Sequence, residues 1–365
     1  MRCTRTSEVI IFNKELFDTE GKGLSRFDQS DENMREVVSE FHMADRVPGS
    51  KLRFCSSKED ICMLTHYGNQ IGDSWFYVKG DITHCYYCTS PEHVKRHTYW
   101  DIGHATSKNL TDWEILGIAL QMSPRGQWDE SLATGSVINW QGRYWMAYTS
   151  HASAQTGIAV SEDLEHWQRI SDYPKTSLAP RYYEETGSGK RKLKNWRDPF
   201  LFEYSGQVYQ LVCASLNRGA ADARGTVGVA RTRDMENWEV LPPLEVEPVA
   251  QELECPQIYA AAGRYYLLFS TGTDLFSADF LSRHNSAELG YAAYSMIGPS
   301  PLGPFHITGN GRVLPPDYSI QPYAAQIVWH EKKPYLLGTI FYQGTHRICD
   351  PVPVEFTPEG IKLAT

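Results

Sequence analysis

The sequence predicts an all-β chain folded as a five-bladed β-propeller. Three observations carry the prediction. A turn followed by alternating aromatic and aliphatic residues returns five times, at intervals of roughly sixty residues. A strand ending in Ser or Thr, a tight Asp/Asn turn and a Trp follow each of the first three returns. No stretch after Gly72 sustains an apolar stripe at helical spacing. Period-two alternation means antiparallel sheet, and five such units mean radial repetition of four-stranded blades.

The elements follow in chain order. Residues 1–52 are charged and lack the pattern, so they form an N-terminal extension. It contains one expected short helix, Asp31–Phe41, capped by Asp31, and is a candidate homodimer contact. The propeller takes residues 53–365. Its turns open at Gly80, Gly142, Gly206, Gly263 and, more weakly, Lys332. The Trp-terminated motif runs Ala105–Trp113, Ala159–Trp167 and Ala230–Trp238, with a degenerate copy from Tyr294 to Phe305. Residues 181–194 form a basic, glycine-containing insert, and 274–290 form a second long connection; both are expected as surface loops.

Composition narrows the partners. The 365 residues carry 35 Lys and Arg against 44 Asp and Glu, a net charge of −9. That balance argues against nucleic acid. No apolar run spans a bilayer, so no membrane partner is expected. Aromatics make up 12%, which suits both a β core and the stacking of sugar faces. The eight cysteines lie mostly in strand-like runs and the start shows no secretory leader, so a cytoplasmic location is the expectation. Cys85 and Cys88 sit three apart within one strand and face opposite ways, so no metal site is assigned to them.

The chemistry lies in acids that recur at one place in the repeat. Asp73, Asp198 and Glu254 precede their turns by seven to nine residues. Matched offsets put all three at one end of the central axis. The second repeat has Thr134-Gly135-Ser136 there and no acid. Convergent carboxylates suit glycoside hydrolysis, which needs one protonated acid and one carboxylate that attacks or activates water. Crowded like charges keep one of them protonated near neutral pH.

With these residues in view, the chain resembles the family 32 glycoside hydrolases, in the clan of the levansucrases and related to family 43. Arg197-Asp198-Pro199 and Glu254-Cys255-Pro256 are similar to that family's Arg-Asp-Pro and Glu-Cys-Pro motifs. Gly103-His104-Ala105-Thr106-Ser107 with Leu110 and Trp113, and Ala133-Thr134-Gly135-Ser136, resemble two further segments. The resemblance implies a retaining β-fructofuranosidase-like propeller that needs no cofactor and lacks the family's C-terminal β-sandwich. Asp73 would be the nucleophile, with Asp101 in reserve. Glu254 would be the general acid and base, and Asp198, oriented by Arg197, the transition-state stabiliser. His104, Thr134, Ser136, Cys255, Trp75, Trp100 and Trp128 are the candidate sugar contacts. The expected partner is a small carbohydrate bearing a terminal furanoside. An arabinofuranoside substrate, glycosyl transfer or phosphorolysis, and sugar binding without turnover are the alternatives.

Overall fold

A computed structural model describes residues 64–365 apart from 95–98, 189, 191, 193, 343 and 344. The N-terminal extension, with its expected helix and dimer contact, lies outside the described residues. Five antiparallel sheets follow one another along the chain. The first is β1 (Asn69–Lys79), β2 (Ile82–Pro91), β3 (Asp101–Ser107) and β4 (Trp113–Leu120). The second is β5 (Leu132–Trp140), β6 (Arg143–Ser150), β7 (Gln155–Ser161) and β8 (Gln168–Arg169). The third is β9 (Trp196–Tyr204), β10 (Gln207–Ser215), β11 (Gly225–Thr232) and β12 (Glu239–Leu241). The fourth is β13 (Glu254–Ala261), β14 (Arg264–Thr271), β15 (Ala292–Gly298) and β16 (His306–Arg312). In the fifth, β17 (Tyr323–His330), β18 (Lys333–Tyr342), β20 (Val352–Thr357) and β21 (Gly360–Leu363) form the path, and β19 (Thr345–Ile348) pairs with β18. The first strands β1, β5, β9, β13 and β17 touch in sequence around the axis, and β17 touches β1. The architecture is the expected five-bladed propeller.

Local chemistry explains the blades. The inner hairpins of blades 2, 3 and 4 turn through Gln141-Gly142, Ser205-Gly206 and Ala262-Gly263, all at positive φ. Glu331-Lys332 does the same in blade 5 without glycine. Two successive positive-φ residues make the tight turn whose twist matches paired strands. The Trp-terminated motif builds one outer turn three times. Asn109, Asp163 and Asp234 each accept two backbone N–H groups two and three residues ahead. Leu110, Leu164 and Met235 then sit at positive φ, and the indoles of Trp113, Trp167 and Trp238 donate to their carbonyls.

The core is a set of layers between blades. Trp75, Tyr86, Trp100, Met146 and Tyr148 fill the gap between blades 1 and 2. Phe76, Tyr87, Val328 and Leu337 fill the gap between blades 5 and 1. Most of the aromatic content is therefore packing between sheets. Cys85 and Cys88 belong to these two different layers. Polar clamps close the ring: the Thr339 hydroxyl donates to the Gly72 carbonyl at 2.7 Å, and the Phe76 N–H donates to Gln326 Oε1 at 2.7 Å. Among the described residues the one α-helix, α1 (Ala278–Arg283), capped by Ser277, lies in the second long connection. No helix among the described residues is long and apolar enough to cross a membrane.

Candidate active site

A β-bulge interrupts every inner strand near its N-terminal end. Register breaks fall between Ile71 and Ser74, Ala133 and Gly135, Arg197 and Phe200, Glu254 and Gln257, and Tyr323 and Gln326. Asp198, Cys255 and Ala324 occupy these bulges at φ of 60°, 50° and 48°. A bulge bends its strand and re-aims a side chain. Here it turns side chains from the blade faces toward the axis.

The result is a ring of polar groups. The carboxylates of Asp73 and Asp198 and the Cys255 thiol lie within 4.8 Å of one another. The Thr134 hydroxyl donates to Asp73 Oδ2 at 2.8 Å. Asp198 is 6% exposed. Its Oδ2 accepts the Cys255 N–H at 3.1 Å, and its own N–H donates to the Thr149 hydroxyl at 2.9 Å. Thr134, Asp198 and Cys255 themselves border a narrow channel, which Ser74, Trp75, Ser136, Phe200, Gln257 and Gln326 also line.

Glu254 stands one residue before its bulge. Arg197 Nη2 donates to Glu254 Oε1 at 2.7 Å and to Glu252 Oε2 at 2.9 Å. The Tyr323 hydroxyl makes a short bond to Glu254 Oε2. Arg197 Nε lies 3.7 Å from Asp198 Oδ2, and Nη1 donates to Asn195 Oδ1. One guanidinium therefore serves three carboxylates.

The electrostatics follow from burial and crowding. Burial pushes Asp198 up to about 6, with Arg197 pulling down and Glu254 and Asp73 pushing up. Burial disfavours the Arg197 charge, but Cys213, Glu252, Glu254 and Asp198 around it outweigh that, and it stays protonated. Burial, then the charges of Asp198, Asp73 and Glu254, raise the Cys255 thiol well above its ordinary range.

The other expected residues divide. Trp75 is buried, stacks on Tyr86 at 6.1 Å and borders the axial channel. Trp100 packs against Gly72, where an added Cβ would lie 3.2 Å from the indole. Trp128 stacks on Tyr148 at 6.0 Å. Ser136 is spent clamping blades 2 and 3, its hydroxyl accepting the Leu201 N–H at 2.9 Å. His104 lies inside blade 1, stacked on Tyr86 at 4.5 Å with its Nε2 3.0 Å from His84 Nδ1. Asp101 is buried on β3, where it accepts the Met122 N–H at 2.7 Å. The 181–194 insert reaches the segment before Glu254: the Lys190 N–H donates to Gln251 Oε1 at 2.7 Å.

Sequence reasoning missed Tyr323 and Glu252. Tyr323 precedes the fifth turn by the same nine residues that separate Glu254 from Gly263, so the offset was there to read. Glu252 alternates with Glu254, and nothing in a Glu-Leu-Glu triplet announces a shared guanidinium.

Comparisons with known proteins agree with this geometry. The model of the glycosyl hydrolases family 32 N-terminal domain matches residues 73–343. Sucrose-6-phosphate hydrolases of two Zymomonas mobilis subsp. mobilis strains (ATCC 10988 and ATCC 31821) are 23% identical over 181 residues. That match covers 46% of this chain and spans only 34% of those relatives. Among solved structures, inulosucrase from Halalkalicoccus jeotgali bound to kestose superposes with a TM-score of 0.65 at 20% identity, covering 88% of this chain and 94% of that one. A GH32 β-fructofuranosidase of Bombyx mori gives 0.61 at 17% identity, covering 92% and 70%. Bacillus subtilis levansucrase gives 0.63 at 13% identity, covering 91% and 94%. At these identities the structures share the fold. The family match covers most of the chain and includes all three axial acids: the chain belongs to the glycosyl hydrolases of family 32.

Proposed function

We propose that this protein is a glycoside hydrolase that releases a terminal β-fructofuranoside-like sugar from a small oligosaccharide with retention of configuration. One observation carries the reading. The bulges bring Asp73 and Asp198 together at the axis while Arg197 and Tyr323 hold Glu254 beside them.

The residues divide the chemistry as follows. Asp73 attacks the anomeric carbon as the glycosidic bond breaks, and Glu254 gives its proton to the departing oxygen. The sugar is then an ester of Asp73. Glu254 next takes a proton from water; the hydroxide attacks the anomeric carbon and the ester breaks, returning Asp73 as a carboxylate. The Thr134 hydroxyl donates to Asp73 Oδ2 and fixes the nucleophile's rotamer. Asp198 accepts hydrogen bonds from sugar hydroxyls, which strengthen as positive charge develops on the ring. Arg197 divides its charge between Glu252 and Glu254, so the acid is held without a guanidinium of its own.

Proton NMR of sucrose, kestose, levanbiose, arabinobiose and an aryl α-L-arabinofuranoside tests this, with Glu254→Gln as control. The expected result is fructose, first seen as the anomer that keeps the substrate configuration, and a loss of roughly 100- to 10,000-fold in the variant. Arabinose alone, inverted product, or an unaffected variant would refute it.

A substrate with a phosphorylated aglycone is a second reading. It is favoured by the cationic insert near the site, where the only acceptor of the Lys190 ammonium among the described residues is a neutral one, the Asp274 carbonyl, at 2.7 Å. A kcat/KM for sucrose 6-phosphate no higher than for sucrose would refute it.

A further inference from the structure

Away from the axis, a cavity of about 270 Å³ opens between the outer strands of blades 4 and 5. Asn310, Arg312, Val313, Leu314, Pro315, Pro316, Lys362 and Leu363 line it. Two of these residues are cations without a carboxylate partner within ion-pair distance among the described residues. Arg312 is 7% exposed. Its Nη1 and Nη2 donate to neutral acceptors, the Glu288 carbonyl and Gln321 Oε1, both at 2.9 Å. Its Nε is buried with no hydrogen-bond partner. Lys362 is half-buried and donates only to the Arg312 carbonyl at 3.0 Å. Glu359 acts on Lys362 from a distance but makes no bond to it.

A buried cation is costly unless an anion or a full set of acceptors offsets it. Here two cations share one cavity in a chain of net charge −9, and one donor is unused. We infer that this cavity is a binding site for a small phosphorylated metabolite. A phosphate monoester carries close to two negative charges and three acceptor oxygens near neutral pH. It matches the two cations, and the remaining Lys362 protons supply donors. The Asn310 carbonyl oxygen is held by the Arg312 N–H at 3.1 Å, which leaves its amide nitrogen as a further donor. The volume exceeds that of one phosphate, and the proline and leucine walls suit the carbon skeleton of a sugar or polyol. The site is distinct from the axial acids, so it serves a ligand other than the glycoside being cleaved.

Isothermal titration of the full chain with inorganic phosphate, glycerol 3-phosphate and glucose 6-phosphate tests the inference. Each is repeated on Lys362→Met, which removes a cation, and on Asn310→Asp, which keeps the acceptor for the Arg312 N–H and adds negative charge. Expected is saturable binding that weakens at least tenfold in both variants, with hydrolysis of the glycoside unchanged. Tighter binding of a phosphate ester than of inorganic phosphate assigns the remaining volume to the carbon skeleton; equal binding would overturn the metabolite assignment. No saturable binding, or binding unaltered in both variants, would overturn the site.

Discussion

Asp198→Asn should make the protein more stable while abolishing its activity. Asp198 is almost wholly buried, and burial lifts its carboxyl from 3.8 to about 6. Above that value the folded protein holds a charge that the unfolded chain carries more cheaply in water. Each pH unit between the two values is worth ~1.4 kcal/mol, so at pH 8 the ionised group costs on the order of 3 kcal/mol. The sign follows from proton counting. Between about pH 4 and 6 the folded state binds the extra proton, so this contribution to stability falls as pH rises and is constant above. Asparagine keeps an acceptor for the Cys255 N–H and carries no charge. Thermal unfolding of both proteins from pH 4 to 8 should show equal midpoints near pH 4 and a gap opening toward pH 8, with the variant higher by ~5–10 °C. A variant no more stable than the parent at pH 8, or a gap that ignores pH, would refute the burial argument.

Three further outcomes are expected. Tyr323→Phe removes the hydroxyl that donates to Glu254 and should lower kcat roughly 10- to 100-fold with little change in thermal midpoint; an unchanged kcat would remove Tyr323 from the site. Gly338→Ala places a Cβ 2.7 Å from the Tyr323 carbonyl and 2.9 Å from the Ala325 Cα, backbone that cannot yield; it should cost ~1–3 kcal/mol and more than tenfold in activity, and parent-like denaturant unfolding would contradict the close approach. Burial holds His84 and His104 neutral down to about 4 and 3, so their contribution to stability is lost as pH falls below about 6.5; His84→Phe with His104→Phe should flatten the acid limb of stability against pH, and parallel curves would exclude the pair.

The blades were legible because their chemistry is local and repeated. Gly142, Gly206 and Gly263 sit where the turn needs positive φ, and Asp163 and Asp234 cap turns with their own side chains. The axial acids were legible because equal offsets in a radial repeat mean equal places. The bulges were not, since an extra residue in one strand shows only against its partner. Without them the side-chain direction of Asp198 and Cys255 cannot be read, nor can the fact that Cys255, not Glu254, shares the ring with the two aspartates. The tryptophans differ in what they face. Trp75 and Trp100 lie beside the acids in sequence; one borders the same channel as Asp198 and Cys255, and the other backs Gly72 from the interblade layer. His104 carries a family-like motif on β3, two strands out from the innermost strand β1.

The ring closure makes the fifth blade a precondition for the first to work. The backbone that presents Asp73 is pinned by Thr339, and Glu254 meets its phenol only when Tyr323 arrives. Until blade 5 folds, all three acids are present but Asp73 and Glu254 lack these two supports. The same dependence gives a simple readout of folding: appearance of turnover reports that blade 5 has met blade 1, with no label on either.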